Sequence, residues 1–269
     1  MNKMYASIGD ATYYYEIHGE GEPVVLLHGF TGSTSTWQQY IKSESTRFKI
    51  IVIDLPGHGH TKMKTPRTME QCCKDVNQLL QEMRINSFHL VGYSMGGRTA
   101  LSFAMLYPEK LRTLILESAS PGLYTTEERK VRMEKDEKIA RKIETDGILS
   151  FVDFWENLPL FETQKELPKE IQVQIREERL AQVEEGLAMS LRYMGTGRQP
   201  SWWGDLHQLD MPILLIVGEK DEKFIRINKK MQKLFVSCKL KICGDAGHAI
   251  HVEKPEMFDK LVTEFISVN

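Results

Sequence analysis

No apolar run in this sequence approaches the roughly 20 residues needed to span a bilayer. The N-terminal stretch MNKMYASIGDATYYYEI has no apolar core ahead of a small-residue cleavage site. The expectation is a soluble, cytoplasmic protein with no membrane insertion. Cysteine is scarce: the chain has four, Cys72, Cys73, Cys238 and Cys243. None forms a CxxC pair, and the adjacent two fall in a predicted helix where they cannot easily bridge each other, so reduced, structural thiols are expected. Charge of one sign is also lacking. A net charge of -2 gives no global field to draw nucleic acid or an anionic membrane, which leaves a small molecule as the expected partner and local clusters as the means of recognising any charge it carries. His58, His60, Asp54 and the cysteines lack the ligand spacing of a zinc site, so no metal is expected. No internal repeat or low-complexity tract is visible.

What is present is a chain of 269 residues, 41% hydrophobic, long enough for one large α/β domain or two modest ones. Runs rich in Val, Ile and Leu recur as VVLLHG at Val24, KIIVIDLPG at Lys49, FHLVGYS at Phe88, LRTLILES at Leu111, PILLIVGEKD at Pro212 and KLKIC at Lys239. They predict buried parallel strands. Helices predicted at Met69 to Arg84, Met95 to Tyr107 and Phe224 to Val236 supply the crossovers that a parallel sheet needs, and a last one spans Pro255 to Ser267. Tyr13 to Ile17 predicts an antiparallel edge strand. The alternation breaks between Leu123 and Trp203, where charged residues dominate and Val131, Ile139, Ile143 and Leu149 recur at helical spacing. The reading is a core of residues 1–122 and 204–269 with a helical cap at 123–203 over the carboxyl edge of the sheet, where open α/β sheets bind ligands.

Chemistry concentrates first at FHLVGYSMGGR, where a strand-like run meets a helix-like one at Gly92-Tyr93-Ser94-Met95-Gly96. This is the pattern of a nucleophile elbow, a turn so sharp that glycine is needed two residues either side of Ser94. The serine hydroxyl then sits at a helix N-terminus, which favours negative charge. Asp221 follows the strand PILLIVGEKD and His248 follows the next, giving the order Ser, Asp, His. A serine hydroxyl needs an imidazole to take its proton and a buried carboxylate to orient that imidazole. Glu117 and Asp54 are the rival acids and His251 the rival base, with Asp221 and His248 preferred by position. His28 is assigned a structural role, and His58 and His60 hydrogen bonds within a loop. In His28-Gly29-Phe30 the Phe30 backbone N–H, with that of Met95, is placed to face a developing oxyanion. Arg98, one helical turn after Ser94, should be partly buried, and either Glu117 or a substrate carboxylate must neutralise it.

Through LLHGF, DLPGHG, GYSMGG and AGH the chain resembles the α/β-hydrolase superfamily. Through GYSMGGR, ESASPG, FWENLPLF, QIREERL, GEKDEKF and AGHAIHVEKP it resembles, within that superfamily, the 2-succinyl-6-hydroxy-2,4-cyclohexadiene-1-carboxylate synthases of menaquinone (vitamin K2) biosynthesis. The likeness runs over most of the chain; the first twenty residues and the acidic parts of the cap add little. It implies a lyase that eliminates pyruvate from a cyclohexene tricarboxylate. It places the triad on Ser94, Asp221 and His248, the oxyanion donors on Phe30 and Met95, and anion-binding residues on Arg98, Arg132 and Arg176. Tyr93 and Trp155 match pocket positions, and Lys223 stands where a basic residue follows the triad acid. Ser94 would act as a base, with no covalent intermediate and no cofactor. The alternative is a serine hydrolase, a carboxylesterase or carbon–carbon bond hydrolase, using Ser94 as nucleophile. A monomer is expected, with an oligomer left open.

Overall fold

The computed structural model describes residues 2–269, with the side chains of the first two of these left aside. Nine strands form one sheet: β1 (Asn2–Ile8), β2 (Ala11–His18), β3 (Glu22–Leu27), β4 (Phe48–Ile53), β5 (Lys62–Met63), β6 (Phe88–Tyr93), β7 (Leu111–Glu117), β8 (Ile213–Gly218) and β9 (Cys238–Cys243). The spatial order is β1-β2-β4-β3-β6-β7-β8-β9, with β5 beside β2. Pairing is parallel from β4 across to β9. The apolar runs dictate this, because β-branched strands buried on both faces need cover above and below. That cover comes from α1 (Gln38–Glu44), α2 (Met69–Glu82), α3 (Met95–Leu106), α7 (Glu222–Gln232), α8 (Ile250–Glu253) and α9 (Pro255–Ser267). Cys72, Cys73, Leu101 and Phe103 pack on one face of the sheet. Tyr40, Phe258, Val262 and Ile266 pack on the other.

Two strand expectations need correction. Tyr13 to Ile17 lies in β2, which is not an edge: it is flanked by β1 on one side and β4 on the other, both antiparallel. Aromatic residues suit a pleated surface at either position, so their presence could not tell edge from interior. KLKIC is not a doubly buried strand either. As β9 it pairs only with β8, and its exposed lysines blunt the free edge.

Between β7 and β8 the chain forms α4 (Thr126–Trp155), α5 (Lys169–Leu180) and α6 (Glu184–Met194). Thr125 and Glu128 cap each other to start α4, and Gly147, at φ 80°, breaks that helix. Ile143, Phe151, Val152, Leu187 and Leu191 form a small core of their own, joined from the sheet domain by Phe30. Val131 and Leu149 are instead exposed, so the helical apolar spacing there overstated the buried stripe. At one point the insertion and the core meet backbone to backbone: a Cβ on Gly57 would strike the Gly186 carbonyl, and one on Gly186 the Gly57 carbonyl.

Candidate active site

The elbow lies at the carboxyl end of β6. Ser94 takes φ 50° and ψ -105°, a strained region for a residue with a Cβ, and the fold holds it there by bonds on both sides. Its N–H donates to the Glu117 carbonyl at 2.8 Å, and its own carbonyl accepts the Arg98 N–H at 2.9 Å. A Cβ on Gly92 would meet the Gly96 backbone, and one on Gly96 would meet the Leu27 backbone, so both glycines are required by close approach.

Ser94 Oγ lies 3.0 Å from His248 Nε2, and His248 Nδ1 lies 2.6 Å from Asp221 Oδ2. A carboxylate accepts only, so Nδ1 carries the ring proton and Nε2 is left free to take one from the serine. Asp221 is fixed in turn as the N-cap of α7, where its other oxygen accepts the Phe224 N–H. Both His248 and Asp221 are buried.

The rival groups are engaged elsewhere. Glu117 accepts from the backbone N–H of His251 at 3.0 Å and from its Nδ1 at 2.8 Å. Asp54 accepts the N–H groups of Thr34 and His60 and braces a loop. His28 accepts the Leu55 N–H at Nε2 and donates to the Gly29 carbonyl from Nδ1, and burial drives it down to about 3. His58 is held at about 4 by the same cause.

The triad opens into a cleft with about 1000 Å³ of empty space, part of it open to solvent. Phe30, Tyr93, Met95, Arg98, Arg132, Trp155 and Lys223 line it together with Ser94 and His248. The Phe30 and Met95 N–H groups are not used in the hydrogen bonds of their loop or elbow, which suits them to an oxyanion. The lining contains three cations, Arg98, Arg132 and Lys223, and no carboxylate. Arg132 is paired with Asp136 at 2.7 Å. Arg98 is half-buried and bonds only neutral acceptors, and burial pushes its guanidinium down to about 10, still protonated at neutral pH. Burial lowers Lys223 as well and raises Tyr93 well above the usual phenol value, which keeps its hydroxyl a hydrogen-bond donor. Trp155 packs its ring on Phe30 and Phe161, and its buried indole N–H has no partner among the described residues.

Two expectations about arginines come out differently. Glu117 does not neutralise Arg98. Side chains alternate along a strand, so with Leu116 facing the helix layer that contains α3, Glu117 turns to the opposite layer and its histidine. Arg176 is not brought to this cleft: it pairs with Asp153 and Glu156, each at 2.6 Å, beside a separate cap pocket. Arg179, one turn further on in α5, also lines that cap pocket and not the cleft. It is buried, stacks 4.8 Å over the Phe161 ring, and donates to Gln164 with no carboxylate partner. Its signal was its place on the inner face of an amphipathic helix; the charged run QIREERL hid which arginine faced inward.

A family model described as the alpha/beta hydrolase fold matches residues 22–255. The chain belongs to the α/β-hydrolase family. A Bacillus subtilis (strain 168) protein provisionally named 2-succinyl-6-hydroxy-2,4-cyclohexadiene-1-carboxylate synthase is 44% identical, with 94% of each chain covered. A Photorhabdus laumondii protein named as that synthase is 30% identical over 91% of this chain and 85% of its own. Among solved structures, MenH from S. aureus superposes with a TM-score of 0.90 at 37% identity, covering 95% of this α/β-hydrolase chain and 97% of its own.

Proposed function

We propose that this chain is a carbon–oxygen lyase of menaquinone biosynthesis. It eliminates pyruvate from 2-succinyl-5-enolpyruvyl-6-hydroxy-3-cyclohexene-1-carboxylate to give 2-succinyl-6-hydroxy-2,4-cyclohexadiene-1-carboxylate, as the names of its relatives suggest. The observation that carries the reading is the cleft beside the triad, which presents three cations and no carboxylate. A pocket for neutral esters has no use for a desolvated guanidinium held without a carboxylate partner, as Arg98 is, whereas a tricarboxylate needs several fixed cations, and bidentate arginines match carboxylates best.

In this mechanism His248 takes the Ser94 proton while Asp221 steadies the imidazolium. The serine oxygen removes the ring proton next to the succinyl carbonyl. The electron pair moves onto that carbonyl oxygen, where the Phe30 and Met95 N–H groups stabilise it. It then returns to form a double bond from the deprotonated carbon, the existing ring double bond shifts one position along, the bond to the enolpyruvyl oxygen breaks, and the pyruvate enolate that departs is protonated. Arg98, Arg132 and Lys223, with Tyr93 and Trp155 as hydrogen-bond donors, hold the carboxylates; segment 123–203 acts as a lid over them. Arg176, with two acids of its own, and Arg179, which lines the neighbouring cap pocket and not the cleft, stand outside this set.

The serine hydrolase reading keeps one observation in its favour: 3.0 Å between Ser94 Oγ and His248 Nε2 serves a nucleophile as well as a base. Incubating the protein with the cyclohexene substrate and following pyruvate separates the two. Release of pyruvate supports the lyase; no release alongside rapid p-nitrophenyl ester turnover sinks it.

A further inference from the structure

The polar side chain that meets Arg98 in the interior is a neutral amide. Arg98 Nη1 donates to the Met194 carbonyl at 2.9 Å and, at 3.4 Å, to Gln199 Oε1. Gln199 is fully buried, and its Nε2 donates to the Ser120 carbonyl at 3.1 Å. That second bond fixes which way the amide faces: turned over, it would oppose two oxygens on one side and aim N–H groups at a guanidinium on the other. Ser120 lies on the segment that leaves β7 for the cap, and Gln199 on the turn after α6 that returns from it, anchored by its own N–H to the Gly195 carbonyl. The amide therefore joins the two crossings between cap and core while holding the arginine from behind.

From these contacts we infer that Gln199 is a specificity-determining positioning residue, which orients Arg98 through neutral acceptors so that its positive charge stays available to an anionic substrate. The inference rests on the anionic-substrate reading above. Its physical basis is a contrast. A buried cation needs acceptors to be tolerated at all. A carboxylate acceptor would meet that need and cancel the charge in the same contact, whereas an amide and a backbone carbonyl meet it and leave the charge uncancelled for the cleft. Glutamate has the shape of glutamine, so Gln199→Glu places the cancelling charge with little change in volume. It also loses its bond to Ser120, which turns its oxygens toward Arg98.

The test measures binding of 2-succinylbenzoate, an aromatic dicarboxylate, by titration calorimetry to the wild type, Gln199→Glu, Arg98→Met and the double variant. Gln199→Glu should weaken the dicarboxylate by about tenfold or more, as expected when a nearby buried charge is cancelled, and should add little further loss once Arg98→Met is present. Gln199→Met, read in the same two backgrounds, covers the case in which the glutamate fails to fold: it should cost a smaller factor with Arg98 present and almost none without it. An equal loss in both backgrounds marks a merely structural staple and overturns the inference, as does unchanged affinity in Gln199→Glu or a wild type that does not bind the dicarboxylate. Pyruvate release enters none of these readings, so failure of the lyase assignment and failure of this one are told apart.

Discussion

Two acid–histidine pairs, whose histidines lie three residues apart, do opposite things in this molecule. Asp221 and His248 meet at 2.6 Å, Glu117 and His251 at 2.8 Å, and all four residues are buried. His248 turns its free nitrogen to Ser94 and to the cleft. His251 is packed by Trp37, Tyr93 and Phe258 and faces no nucleophile. A buried carboxylate beside an imidazole is therefore not in itself catalytic machinery. What separates the pairs is the elbow, which delivers an oxygen to one ring and an aromatic wall to the other. The two are also linked, because the Glu117 carbonyl holds the Ser94 N–H while its side chain holds His251.

The largest effect should come from the reactive side of this contrast. Ser94→Ala should lower pyruvate release by about four orders of magnitude or more while leaving the thermal midpoint almost unmoved, since a triad loses most of its acceleration when one member goes. Asp221→Asn should cost on the order of 10³ to 10⁴-fold in kcat through the wrong imidazole tautomer. The matching change on the sealed side, Glu117→Gln, should invert that profile: a loss of about 3 kcal/mol in urea unfolding, as when a buried pair is broken, with kcat of the folded fraction within about tenfold. Equal kinetic losses for the two acids would erase the distinction.

His28 and His58 extend the comparison to histidines buried without an acid. Burial holds them at about 3 and about 4, whereas in the unfolded chain both titrate near 6.5. Below that value the unfolded chain binds more protons than the native one. Their neutral packing is therefore fully tolerated above pH 6.5, and stability falls as the pH drops from 6.5 toward 4. A loss on the order of 1 kcal/mol per pH unit for each histidine is expected from urea midpoints between pH 7 and 5. The smallest effect belongs to Arg176→Ala, half-exposed and doubly paired, which should shift stability by less than about 1 kcal/mol and KM by less than about twofold.

The sheet and the meeting of Ser94, His248 and Asp221 were legible in the sequence for physical reasons. Doubly buried strands must be continuous apolar runs, and an elbow must spell its glycines at fixed offsets. The rest depended on facing, which a string of letters carries poorly. Arg98 follows one turn after Ser94, whose N–H bonds the Glu117 carbonyl, but the alternation of β7 sends the glutamate side chain to the far layer. Arg176 and Arg179 occupy one helix three residues apart, and only the packing against Phe161 distinguishes the inward one. Gln199 carried no motif at all; its part follows from a turn that brings two distant segments, at Arg98 and at Ser120, to one amide.

The bare contact between Gly57 and Gly186 sets the thickness of the seam between cap and core at one point, with nothing but main chain on either side. If segment 123–203 closes over the cleft as proposed, a methyl group on either glycine would be a wedge, propping that segment ajar at its rim and admitting water to the proposed enolate step without touching any residue that lines the cleft.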